Sequence, residues 1–284
     1  MSTDTSTGNY AKTTLTGDGV TILADRNTAG PALTNQFDTL TTNGAYTLNI
    51  TGGSNVTSGT AQVNFNATTL GGNATFNVVN PAAGSTVMSI GGAIGESGGA
   101  RSLTKTGNGT LTLGGVSTFT GGTTVNGGEV ILANGAAGGT TRIRGALTVN
   151  SGATVTTTGD ATGLGWVDQI TSVAINNGTI TSTGAMHIWN ITGGITMTGG
   201  TLQSNGGVST TSGNQLEWNR TSVATLASAN TATIAGRINI RSDNSYTTVP
   251  FTVADGSASR WTCWSAPPSP SPRGAWAFPK PEPA

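Results

Sequence analysis

One short motif returns along this chain at near-constant spacing: an aliphatic residue, two or more small or polar residues with a glycine among them, and a second aliphatic residue. It reads Val125-Asn126-Gly127-Gly128-Glu129-Val130, then Val149-Asn150-Ser151-Gly152-Ala153-Thr154-Val155, then Ile175-Asn176-Asn177-Gly178-Thr179-Ile180, and again Met197-Thr198-Gly199-Gly200-Thr201-Leu202. The shared glycines Gly128, Gly152, Gly178 and Gly200 follow one another at steps of about 22–26 residues, a period that marks a stacked-repeat architecture. In such an architecture each repeat buries its apolar face only against its neighbours. The fold of such a chain serves as scaffold or display surface, so enzymatic activity has to be argued from a site.

The repeating unit reads as β-structure. Runs such as Tyr46-Thr47-Leu48-Asn49-Ile50, Thr110-Leu111-Thr112-Leu113 and Ile238-Asn239-Ile240 alternate apolar and polar residues with period two, the pattern of strands with one buried face. Threonine suits the other face because it is both β-branched and polar. No stretch sustains a helical period. Richness in Gly, Ser, Thr and Asn is also the composition of disordered linkers, but here the β-branched residues are not depleted. Asn-Gly and Gly-Gly steps supply the positive φ that tight turns need. The fold expected is therefore all-β: a right-handed parallel β-helix, or solenoid, with rungs of about 22–26 residues. The competing arrangement is a meander or sandwich of hairpins closed by Asn-Gly turns, which would show a shorter period of about 8–12 residues.

Three segments follow. Residues 1–45 are the least regular, an irregular segment or incomplete first rung in which Val20–Leu23 is a strand and Pro31 marks a loop. Residues 46–258 form the parallel β-helix, with a loop at Asn80-Pro81. Residues 259–284 are a Pro- and Trp-rich tail of disordered composition.

Charged residues make up 8% of the chain and cancel to a formal net charge of zero, so it lacks the electrostatic footprint of a nucleic-acid or anionic-membrane binder. Cys263 is the single cysteine and leaves no intrachain disulfide. No apolar run approaches the ~20 residues of a membrane helix. The first residues, Met1-Ser2-Thr3-Asp4-Thr5-Ser6-Thr7, lack a basic stretch followed by an apolar one, so the sequence as written shows neither a secretion signal nor a membrane anchor.

Residues 103–132 carry a more specific pattern. They run Leu-x-Lys-x-Gly-x-Gly-x-Leu-x-Leu, then Phe-Thr-Gly-Gly-Thr-x-Val, then a closing Gly-x-Val-Ile-Leu, through Leu103, Lys105, Gly107, Gly109, Leu111, Leu113, Phe119, Thr120, Gly121, Gly122, Thr123 and Val125. This resembles the autotransporter-associated β-strand repeat, also called the passenger-associated transport repeat. The resemblance implies a passenger-type β-helix of a large bacterial surface or secreted protein, in which the repeat is tied to export and passenger folding. It also implies adhesive or cell-surface roles, with carbohydrate or a host or cell surface as partner.

The residues offer little chemistry beyond this. His187 is the only histidine, so a histidine-cluster metal site is impossible within the chain and a Ser-His-Asp triad could form only around it. It lies in the alternating run Ala185-Met186-His187-Ile188-Trp189 and reads as a strand residue. The enzymatic alternative is a carbohydrate-active β-helix, a polysaccharide lyase or glycosidase using carboxylates in a groove. Its candidates are Glu96, Glu129, Asp160, Asp168, Glu217, Asp243 and Asp255. Asp160 and Asp168 stand out because Trp166 between them could stack on a sugar, although a turn aspartate and a rung-capping tryptophan explain them as well. Arg142 and Arg144 read as solvated. Phosphate-loop and calcium-nonapeptide patterns do not occur. No catalytic, cofactor-binding or metal residue is assigned, and no cofactor is expected. Asparagine and threonine ladders along a flat face could bind carbohydrate, ice or another β edge, or could simply satisfy turn backbone.

The tail changes character abruptly. Three of the six tryptophans and seven of the ten prolines lie from Trp261 onward. Joining the third base of each codon to the first two of the next gives a shifted frame. There Trp261–Thr262 must read Asp, Cys263–Trp264 Leu and Trp276–Ala277 Gly. Across Ala277–Ala284 the shifted frame permits Phe-Ser-Lys-Thr-Gly-Ala-Gly, which closely matches Leu103-Thr104-Lys105-Thr106-Gly107-Asn108-Gly109. A frameshift near residues 255–260 is expected, leaving a sheet edge open to edge-to-edge self-association.

Overall fold

The structure is a computed structural model, described for residues 7–133, 142–158, 164, 170–204, 215–240 and 249–254. Among these residues every element is a β-strand, 27 in all, and every strand pair is parallel. Two long sheets carry the molecule, one of 12 strands and one of 10, with smaller sheets of three and two strands. Strands pair with counterparts one turn away along the chain, and in the two long sheets the inner strands do so on both sides, so the chain is a β-solenoid. The 10-stranded sheet runs through β3 (Val20–Ala24), β6 (Thr47–Gly52), β9 (Ala74–Val79), β12 (Leu103–Thr106), β14 (Thr123–Val125), β16 (Gly145–Val149), β18 (Ile170–Ile175), β21 (Ile195–Met197), β24 (Val223–Thr225) and β27 (Phe251–Val253).

Register, rather than repeat length, is what the stack preserves. Leu48, Phe76, Lys105, Val125, Val149, Ile175 and Met197 follow one another in a single inward column, each paired with the next. In the 12-stranded sheet the column Leu111, Val130, Val155, Ile180, Leu202, Ile234 does the same. These side chains are at most 2% exposed, and Tyr10, Phe37 and Phe65 stack at centroid distances of 4.9 and 5.0 Å at the N-terminal end of the same core. The apolar cluster is continuous from Leu15 to Ile234. Period-two alternation thus places one buried wall per strand, and stacking joins the walls.

The expected rung length holds only in part. The step from Thr110 to its partner Glu129 is shorter than expected, and that from Gly200 to Ala232 is longer. Register is nevertheless kept across both steps, because a slip by one residue would turn the buried face outward. Residues 7–45 supply β1 (Thr7–Tyr10), β2 (Thr13–Leu15), β3, β4 (Gly30–Pro31) and β5 (Thr34–Thr42), paired in register with the following turn. Pro31, expected in a loop, lies in β4. That strand is a two-residue edge partner of β7 (Val56–Ser58) with a register shift at Gly30/Pro31, a position where a residue without an N–H is tolerated.

Three of the four motif glycines, Gly128, Gly152 and Gly200, hold positive φ (63°, 75° and 86°). At the third motif copy Asn177 takes that role (φ 59°), and Gly178 is required for a different reason: a Cβ there would stand 2.7 Å from Val149 O.

Candidate functional site

The rung spanning residues 103–132 is the most specific part of the sequence, and its residues are occupied in building the stack. In β12 the period of two points Leu103 and Lys105 to the same side, and both are fully buried. Lysine therefore stands in the core column between Phe76 and Val125. Its Nζ donates to Thr106 O at 2.7 Å, Gly107 O at 2.9 Å and Gly127 O at 3.2 Å, using all three ammonium donors on turn carbonyls of its own rung and the next. Burial pushes its pKa down to about 8. The three carbonyl acceptors act in the opposite direction, because they favour the protonated form.

The glycines of the rung sit where backbone passes backbone. At Gly107 (φ 73°) a Cβ would lie 2.2 Å from Val78 O, and at Gly121 it would lie 2.4 Å from Arg101 C. Leu111, Leu113, Phe119, Val125, Val130 and Leu132 fill the interior. Glu96 pins the loop before the Phe-Thr-Gly-Gly step: it accepts from Thr120 N at 3.0 Å, Thr120 Oγ1 at 2.8 Å and Arg101 N at 2.7 Å. Partial burial raises its pKa, but the donors outweigh this and hold it below the usual carboxylate range. Residues 103–132 match the family model of the passenger-associated-transport-repeat. No curated protein and no solved structure matches the chain.

The outer face beside this repeat is uncharged. Thr47, Thr75, Thr104, Thr124 and Thr148 form one outward column. The neighbouring column is an asparagine ladder. Asn77 Nδ2 donates to Asn49 Oδ1 at 2.8 Å and Thr106 Oγ1 to Asn77 Oδ1 at 3.1 Å. Asn150 Nδ2 donates to Asn126 Oδ1 at 2.6 Å, and Asn176 Nδ2 to Asn150 Oδ1 at 2.9 Å. The amides satisfy one another between rungs while the strands stack.

The remaining sequence candidates are scattered along the solenoid. Glu129 accepts from Thr156 Oγ1 at 2.6 Å on the outer face of the 12-stranded sheet. Glu217 accepts from Gln215 Nε2 and Asn239 Nδ2 in the three-stranded sheet, where it pairs in register with His187 of β20 (Met186–Trp189). That pairing is the one meeting of predicted site residues among those described. Asp160, Asp168, Trp166, Asp243, Asp255 and Cys263 lie outside the described residues. Arg142, expected to be solvated, is 1% exposed and donates Nε to Ala133 O at 2.9 Å. Burial lowers its pKa, and its planar guanidinium is the weakly hydrated cation best able to enter a core.

Sequence reading missed the interior placement of Lys105 and Arg142. For Lys105 the signal was present: Leu103-x-Lys105 shares one strand phase. Lysine's usual preference for solvent concealed it.

Proposed function

We propose that this chain is a structural, non-enzymatic passenger segment of an autotransporter-like bacterial surface or secreted protein, and that its outer faces serve adhesion. The observation that carries this reading is the repeat rung itself. Its distinctive residues, Lys105, Gly107, Gly121 and Phe119, all serve stacking: a buried ammonium on three turn carbonyls, two close backbone approaches and a core ring. Glu96, Glu129 and Glu217 are each tied up by hydrogen bonds within the solenoid. The threonine and asparagine columns present an uncharged, regular surface that suits a neutral polysaccharide better than a charged partner.

The test combines binding with turnover. Purified chain is incubated with pectins, glucans and other polysaccharides, and both retention and release of reducing ends are followed. Retention of neutral glucans without cleavage above buffer is expected, weakened by Thr124→Lys, which puts a charge in the middle of the neutral column; the acidic pectins serve as the charged comparison. Cleavage that disappears in Asp160→Ala or Asp168→Ala would replace this reading with the carbohydrate-active one.

A further inference from the structure

Among the described residues, no strand covers the C-terminal end of the solenoid. The three strands there, β25 (Ala232–Ala235), β26 (Arg237–Ile240) and β27, each pair on one side only among the described residues. Core columns run straight into this end. Lys105, Val125, Val149, Ile175 and Met197 are 0% exposed and Thr225 is 5% exposed, whereas Val253, next in that column, is 43% exposed. Ile188 and Trp218 are 0% exposed, and Ile240 above them is 46% exposed. These residues have the phase of interior side chains, and no further turn among the described residues covers them.

We propose that this end is the acceptor surface for one more turn of the same solenoid, and that the gene carries that turn in the frame joining the third base of each codon to the first two of the next, beyond about residue 255. The register is independent of the sequence likeness and agrees with it. Across a single lost base, the shifted lysine codon, which spans Pro279–Lys280, takes the place of Lys280 in the count, and the shifted phenylalanine takes the place of Phe278. The preceding turn led from Thr225 to Val253 and from Val223 to Phe251. A turn from Val253 to the shifted lysine, and from Phe251 to the shifted phenylalanine, is shorter than that one by a single position in both columns. Phenylalanine and lysine would then land where Leu103 and Lys105 stand in their own rung, on the column leading to Phe251 and on the column leading to Val253. The forced glycine before that phenylalanine falls in the column of Gly122 and Gly194, both at positive φ (85° and 69°). A Lys-Thr-Gly-x-Gly string is what places a buried ammonium on turn carbonyls in this fold. The occupant is therefore a rung of this chemistry with its own interior lysine. The proposal rests on the stacking geometry and not on what the outer faces bind.

Two measurements decide it. In the gene, Pro279 must be encoded CCA and Pro281 CCG, because only these give Lys and Gly in the shifted frame. Any other third base substitutes Gln, Glu, Arg or a stop codon and overturns the proposal. In the protein, the full chain is compared with a frame-restored chain that continues through the shifted sequence. Restoration should abolish most binding of the apolar dye ANS and shift the thermal midpoint upward. Unchanged dye binding and midpoint would overturn it. So would a full chain that already excludes the dye as a concentration-dependent oligomer, which would make a second copy the occupant.

Discussion

Lys105 sets the energetics of its rung in an unusual way for a β core. Its charge is buried, yet its three protons meet three carbonyls, so removing it exposes the opposite problem. Lys105→Met keeps the volume but leaves Thr106 O, Gly107 O and Gly127 O without their donor, at a cost of about 1–3 kcal/mol. A pH signature separates this role from simple packing. The folded pKa, about 8, lies below the unfolded value of 10.5. Between these values the unfolded chain binds more protons, so stability rises with pH across that window, and below it both states are protonated and the dependence vanishes. Urea unfolding at pH 7.5 and pH 10 should show native chain gaining up to ~2 kcal/mol from this group, a gain absent in Lys105→Met. Equal pH dependence in the two proteins would remove the buried ammonium from the account. Val149 tests the apolar neighbour in the same column. It is fully buried between Val125 and Ile175, so Val149→Asp strands a charge without three carbonyls to receive it. Several kcal/mol or local unfolding should follow, read as a drop in thermal midpoint by circular dichroism.

At the scale of the strand and its turn, the asparagine ladder holds successive turns at one register. Asn150 is its centre, donating to Asn126 and accepting from Asn176. Asn150→Ala breaks both bonds and should lower stability by about 1–2 kcal/mol in a denaturant melt, whereas Asn150→Ser, too short to reach both neighbours, should recover only part of it. An alanine variant as stable as the parent would show the ladder to be incidental. This scale is also where sequence was most and least informative. Alternation in Tyr46–Ile50 and Thr110–Leu113 revealed the strands, and the aliphatic residues that open the motif copies, Val149, Ile175 and Met197, stand inward in the structure. Rung length was read too narrowly, because the glycines counted belong to the most uniform turns. The short step from Thr110 to Glu129 and the long one from Gly200 to Ala232 lie at the two ends of that uniform stretch. The candidate site was legible as a pattern but not as a mechanism. Leu-x-Lys could be recognised, but that its lysine is interior depends on Gly107 and Gly127, whose carbonyls reach it only once two rungs are stacked.

Across the whole molecule, stability is a sum over neighbouring turns. The middle turns, between Val125 and Met197, are covered on both sides, whereas Val20 at one end and Ile240 and Val253 at the other, all of interior phase, are 39–46% exposed. Hydrogen exchange should follow this gradient, slowest in β14, β16 and β18 and fastest in β3 and β27. Uniform protection would mean that the chain opens as a single unit.

The short reach of the pairing has a consequence for how such a molecule can be made. Among the described strands none waits longer for its partner than Gly200 waits for Ala232, a single turn further on. The entropy of closing each turn is therefore modest and nearly constant, unlike that of a sheet assembled from distant segments. A turn can lock as soon as its predecessor is in place. A chain emerging slowly through a narrow opening would fold behind its own leading edge, and each locked turn would make backward slippage costlier. Assembly of this kind acts as a ratchet, drawing directional movement from folding free energy alone.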